Sequence, residues 1–240
     1  MLRSLQASSS PSCPYDDVYE IDPAGPDTLV DLGIMRPAEH LTCVRCDQCP
    51  EGCFIDVEHE FDDNGEVCGA LGFCPDPGEG SRLIKVDPVR LKTWRVDASA
   101  LTQCVCKWLG LASLPATVAS GYAWRLGDYT ADSWSYKAFM AVGLASPSMP
   151  ASELDSLRSA VKDTLSPLVF TPSSMDTSTD LLQSVPTVSL TSLLCLTQHG
   201  LGLNTDALKR HLASLRGDKE LPTPPGYAFS RGYRAVRRLG

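Results

Sequence analysis

The residues best equipped for chemistry are cysteines. Six of the ten lie between Cys43 and Cys74, at positions 43, 46, 49, 53, 68 and 74. A thiolate is a soft ligand, and closely spaced thiolates suit zinc or iron better than calcium or magnesium. Two cysteines separated by two residues sit on one tight turn, so their sulfurs converge while the turn's amides donate to them. Four sulfurs around one zinc ion at about 2.3 Å close its coordination shell, which makes the ion a staple and leaves no position for substrate.

Such a site needs an element that returns more sulfur to the turn. Phe54-Ile55-Asp56-Val57-Glu58-His59-Glu60-Phe61 alternates apolar with polar, as a half-buried strand does. Asn64-Gly65 follows, a pair that tolerates positive φ and closes hairpins. A return strand from Glu66 to about Cys74 is expected, weakened by Gly69 and Gly72. A two-residue loop at Asn64-Gly65 sets Asp63 against Glu66 and Cys74 beside Ile55, close to the cluster. Cys68 then lies near the turn, roughly 20 Å from Cys74 along the strand. The expected ligands are Cys43, Cys46, Cys53 and Cys74, with Cys49 as an alternate for Cys53 or Cys43. Cys68 is expected to be structural. His59 is a poor candidate because of its place on the strand.

This window, about residues 43–86, resembles a zinc ribbon: a Cys-x2-Cys knuckle, an alternating strand, a tight turn, a return strand and another cysteine. The resemblance implies a small β-rich module held by structural Zn2+. Cys43, Cys46, Cys49 and Cys53 also resemble the C-x2-C-x2-C-x3-C run that holds a [4Fe–4S] cluster in bacterial ferredoxins. That second likeness departs at Phe54, where the family has proline, and no matching second run is present. It implies an electron-transfer or redox role.

The rest of the chain frames this module. Residues 1–40 are acidic and proline-rich and read as a poorly structured arm. Residues 41–96 form the cysteine-rich module, with a third strand at Arg82–Val86 and a short helix opened by Asp87-Pro88. Between 97 and 217, helices and strands interleave, which argues a compact α/β domain with a mixed sheet, α+β for the chain as a whole. Its first helix carries Leu101, Cys104, Val105 and Trp108 on one face, with Cys106 off it. Strands are expected at Tyr122–Leu126 and Trp134–Leu144, joined across Gly127–Ser133. A helix capped by Asn204 or Thr205 carries Leu208, Leu212 and Leu215. Residues 218–240 are a basic aromatic tail with Arg231, Tyr233, Arg234, Arg237 and Arg238, and no acid after Glu220.

Composition is globular, 43% hydrophobic, with a net charge of −8. Nucleic-acid binding through the overall field is excluded, so such contact would need a local patch. The tail supplies one, and Arg82, Lys85, Arg90, Lys92 and Arg95 a second. There is no apolar run of membrane-spanning length and no signal-peptide core, so the compartment is expected to be reducing and cytoplasmic. No His-Glu-x2-His, Gly-x4-Gly-Lys or Gly-x-Ser-x-Gly occurs, and no catalytic residue is assigned. His199 and His211 have no evident catalytic partner. The expectation is a non-enzymatic accessory or regulatory protein. Its zinc module would meet a partner protein or nucleic acid, with the tail as a second contact. An iron–sulfur redox protein and an enzyme with an unrecognised site in the α/β domain are the alternatives.

Overall fold

The computed structural model describes residues 5, 8, 11–15, 25–49, 52–75, 82–146, 149–173, 185–197 and 200–216. In chain order the elements are β1 (Ser12–Pro14), α1 (Gly25–Asp31), β2 (Met35–Pro37), β3 (Cys43–Arg45), β4 (Phe54–Phe61), β5 (Val67–Cys74), β6 (Arg82–Val86), α2 (Pro88–Leu91) and β7 (Thr93–Val96). There follow α3 (Ala98–Trp108), β8 (Ala116–Ala119), β9 (Ala123–Ala131), β10 (Trp134–Ala141), α4 (Ala151–Lys162), β11 (Pro167–Thr171) and β12 (Thr187–Ser189). A 3-10 turn (Leu190–Ser192), β13 (Leu194–Thr197), β14 (Gly200–Leu203) and α5 (Thr205–Leu215) complete the set. The chain is of the α+β class.

The cysteine-rich segment builds a four-stranded antiparallel sheet in the order β3-β4-β5-β6. Its inner face is a small core of Val44, Ile55, Val57, Ala70, Ile84, Val86 and Leu91 together with Cys46 and Cys74. The alternation of β4 does this directly: Ile55 and Val57 point inward while Phe54, Asp56 and Glu58 stay exposed. A core of this size stabilises little by itself, so a metal staple has a physical role here.

The hairpin turn differs from the expected two-residue loop. The Asp62 amide donates to the Glu66 carbonyl (2.9 Å) and the Gly65 amide to the Asp62 carbonyl (3.0 Å), so three residues form the loop. The Asp62 carboxylate accepts from the amides of Asn64 (2.9 Å) and Glu66 (2.8 Å), and Gly65 takes φ +79°. Those hydrogen bonds hold the Asp62 carboxyl below its ordinary pKa, the Glu66 amide contributing most. The extra loop residue moves the register by one, pairing Phe61 with Val67. A bulge at Cys68 moves it back, so Glu60 faces Gly69 and Val57 faces Gly72. Continued along the strands, that register sets Cys74 opposite Ile55.

A five-stranded mixed sheet, β12-β11-β10-β9-β8, forms the second layer system. β8, β9 and β10 are antiparallel, while β10, β11 and β12 are parallel, with α4 as the β10–β11 crossover. Side chains alternate across it. Ala138, Met140, Leu168 and Phe170 join the main core with α3 and α5, and Phe139, Ala141 and Val169 meet Leu157 and Val161 of α4. Asp97 caps α3 through the Ala100 amide and Asn204 caps α5 through the Ala207 amide, both at 2.9 Å. Gly127 was expected in the β9–β10 connection but lies inside β9, at φ +128° beside a register shift. The turn is instead Asp132-Ser133, with φ of 49° and 69°.

Two expectations about packing change. Residues 1–40 are not a bare arm where described: β1 and β2 pair with either edge of β7, and Leu5, Cys13, Ile34 and Met35 enter the main core. β7 supplies the missing apolar partner in Trp94 and Val96, so hydrophobic burial overrides the poor local pattern. Cys106 is also buried, its thiol 3.9 Å from the Leu126 carbonyl, because α3 is covered on more than its apolar stripe. The chain enters and leaves the cysteine module side by side: the Ala38 amide donates to the Thr93 carbonyl (3.0 Å) and the Leu41 amide to the Leu91 carbonyl (2.8 Å).

A candidate metal centre

β3 delivers the chain to the knuckle and β4 carries it away. The loop between them is closed by the Cys46 amide donating to the Cys53 carbonyl (2.7 Å) and the Gly52 amide to the Cys49 carbonyl (3.1 Å). Gly52 sits at φ +58°, and a Cβ there would lie 2.5 Å from the Arg45 Nε. The positive φ is what favours glycine here, because the contact is with the movable end of the exposed Arg45 side chain. The return strand β5 ends at Cys74 and points it inward, against the loop.

Four thiols meet at this point. The Sγ atoms of Cys46, Cys49, Cys53 and Cys74 all lie within 4.8 Å of one another. Cys49 and Cys53 are 3.4 Å apart, and Cys53 and Cys74 are 3.5 Å apart. Cys46 and Cys74 are buried, while Cys49 and Cys53 are half-buried at the open side. The Cys53 amide donates to the Cys49 sulfur (3.3 Å), with the Cys53 thiol its second-largest influence, and they hold Cys49 down to about 7. Cys53 is pushed up to about 12, first by its side-chain hydrogen bond with Cys49 and then by burial and Cys74. Of these two thiols, Cys49 is the more readily ionised.

The knuckle is braced from behind. Arg90 of α2 donates to the Arg45 carbonyl (2.7 Å) and pairs with the Asp47 carboxylate (2.9 Å). Asp87 caps that short helix by accepting from the Val89 amide (2.9 Å). Arg45 also donates to the Gly52 carbonyl (3.3 Å). Two arginines therefore brace the knuckle through its backbone carbonyls.

The gathered set differs from the expected ligands by one residue. Cys49 is inside the group and Cys43 is not. In β3, Cys43 lies opposite Asp56, on the sheet face away from the cluster. Burial first, then the Asp56 charge and hydrogen bond, push the Cys43 thiol up. Cys68 is the exposed bulge residue, with its thiol 3.5 Å from the Glu60 carbonyl. His59 bonds through Nε2 to the Leu41 carbonyl (2.7 Å), away from the thiols. No other group of three or more His, Cys, Asp or Glu gathers in this way among the described residues.

Other candidates separate in space. The second basic segment disperses: Arg82 and Lys85 lie on β6, Arg90 is committed to the knuckle, and Arg95 is on β7. Arg231, Tyr233, Arg234, Arg237 and Arg238 lie outside the described residues, as does His199. His211 lies on α5 and is exposed. In the mixed-sheet half, an open groove of about 560 Å³ is lined by Ser113, Arg125, Gly127 and Asp128. Its carboxylate is paired with Lys137 and lies 3.9 Å from Arg125. No second acid lines that groove, so it offers no acid–base pair. No helix among the described residues is long and apolar enough to cross a membrane.

No family model, no curated protein and no solved structure matches the chain.

Proposed function

We propose that Cys46, Cys49, Cys53 and Cys74 hold one zinc ion, and that this module serves a non-enzymatic accessory or regulatory protein as a rigid platform for a partner. The observation that carries this reading is the closeness of the four thiols, within 4.8 Å of one another. Four sulfurs at about 2.3 Å from one ion in a tetrahedron are about 3.8 Å apart. The 3.4 and 3.5 Å separations and the 4.8 Å spread fit one ion with small adjustment. A four-iron cube binds each thiolate through a different iron and holds the thiolates farther apart. The gathered set also includes Cys74 and omits Cys43, which departs from the contiguous ferredoxin-like run.

The ion's role would be structural. Four thiolates leave no open coordination position, and the inner core of the module is small. Binding free energy then acts as folding free energy for the sheet. The partner is a protein or nucleic acid met through the module's surface, in a cytoplasmic setting. Metal analysis of anaerobically purified protein tests the reading. About one zinc per chain and a colourless solution support it; iron with sulfide and a visible absorption band replace it with the redox alternative.

A further inference from the structure

The outer face of the four-stranded sheet is unusually apolar. Phe54, Phe73 and Leu83 are 73%, 67% and 57% exposed. Phe73 lies directly opposite Leu83, and Phe54 opposite Arg45, so these side chains share one face beside the metal knuckle. Aromatic residues exposed together mark a contact surface more often than a solvated one.

The charge around this patch says what it fits. Residues 54–67 contain six carboxylates (Asp56, Glu58, Glu60, Asp62, Asp63 and Glu66) and no lysine or arginine. Lys85 and Arg45 are the cations on the same face, and Lys85 lies opposite Leu71 in the row that begins at Glu58. An acidic, aromatic face repels phosphate and favours a basic segment with apolar side chains. The chain itself contains one. After Glu220 it carries four arginines, no acid, and the aromatic residues Tyr227, Phe229 and Tyr233.

We propose that the chain's own C-terminal segment, Tyr227 to Arg238, docks on the outer face formed by Phe54, Phe73, Leu83 and the carboxylates of β4. The last described residue, Arg216, is held by the Tyr136 hydroxyl (3.0 Å) and by Asp132 (3.7 Å). Tyr227 follows it by eleven residues, a reach of about 36 Å when extended. The contact would cover the module's surface until a competing partner with a similar basic, aromatic segment displaced it. This deepens the platform reading by naming what occupies the platform, and does not depend on which metal the cysteines hold.

Limited trypsin digestion of the full metal-loaded chain at low salt tests it, with cleavage after Arg231 and Arg234 followed by mass spectrometry. Proteolysis under these conditions tracks the undocked population. The variants are Phe54→Ser with Phe73→Ser, and, as a pair that leaves the rings in place, Glu58→Gln with Glu60→Gln. Phe54, Phe73 and Glu58 are exposed and Glu60 is half-buried, and metal content with the thermal midpoint reports that the module is folded. The expected result is tail cleavage about fivefold or more faster in each variant pair, and in the unaltered chain at high salt. Rates should not depend on protein concentration. Equal cleavage in the unaltered chain and both variant pairs overturns the proposal. So does protection that grows with concentration, which assigns the face to a second copy. Protection that appears only on adding a single-stranded oligonucleotide overturns it in favour of nucleic acid. Fast tail cleavage with about one zinc bound defeats docking alone, whereas a protected tail without zinc defeats the zinc reading alone.

Discussion

The sulfur of Cys74 lies 3.5 Å from that of Cys53, although 21 residues separate them in the chain. The whole β4–β5 hairpin stands between these two atoms, and its turn and bulge decide whether they meet. An error of one residue in register would send Cys74 to the outer face, because successive strand side chains point to opposite sides. The three-residue loop at Asp63–Gly65 and the bulge at Cys68 displace the register in opposite directions and cancel.

Serine substitutions sort the cysteines. Cys46→Ser, Cys49→Ser, Cys53→Ser and Cys74→Ser should each reduce bound metal from about one ion per chain toward zero at limiting metal. Cys43→Ser and Cys68→Ser should leave it unchanged. Metal retained in Cys74→Ser and lost in Cys43→Ser would transfer the site to the contiguous four-cysteine run.

Arg90 ties α2 to Arg45 and Asp47. Arg90→Ala should weaken metal affinity about 10- to 100-fold, as the loss of an outer partner commonly does. Competition against a chelating dye measures this. Arg90→Lys should recover only part of the loss, because one ammonium cannot reproduce the fork that spans a carbonyl and a carboxylate.

Gly52→Ala places a Cβ 2.5 Å from the Arg45 Nε at a backbone φ of +58°. The strain should cost about 1–3 kcal/mol and should appear in the metal-bound thermal midpoint. Gly33, also at positive φ but with open space around it, should tolerate alanine better.

In the metal-free, reduced chain, Cys49 should be the first knuckle thiol alkylated by iodoacetamide. The thiolate is the nucleophile, and the Cys53 amide and thiol lower the Cys49 pKa to about 7. Its rate should rise as pH increases through about 7 and fall away below, while Cys53, held near 12, stays protonated and slow. Added zinc should suppress the reaction. Peptide mapping of the labelled chain would contradict this arrangement if Cys53 were modified before Cys49.

At the β9–β10 turn, Asp132 and Ser133 both occupy positive φ without being glycine. Ser133→Gly should stabilise the chain by about 0.5–1 kcal/mol by relieving that strain. Asp132→Gly should gain less, because it also removes the carboxylate 3.7 Å from Arg216. Denaturant midpoints at constant slope compare the two.

Much of the module was legible from residue order alone. The knuckle, the alternating strand and the inward return of Cys74 rest on local spacing and a period of two, whereas the turn at Asn64-Gly65 takes one more loop residue than expected and a bulge restores the register. Helix caps at Asp87 and Asn204 were legible for the same reason: a short polar side chain and its amide partner lie within three residues. Other choices needed the folded chain. Cys49 and Cys43 have similar neighbours in sequence. Pairing of Cys43 with Asp56 across the ladder turned one away, while the Cys53 amide drew the other in. Cys13, Ile34 and Met35 carry no periodic signal and are buried because β7, about sixty to eighty residues later, offers an apolar edge to both sides. The exposure of Phe54 and Phe73 was equally hidden, since an aromatic residue on a strand reads as core until the sheet shows which face is covered.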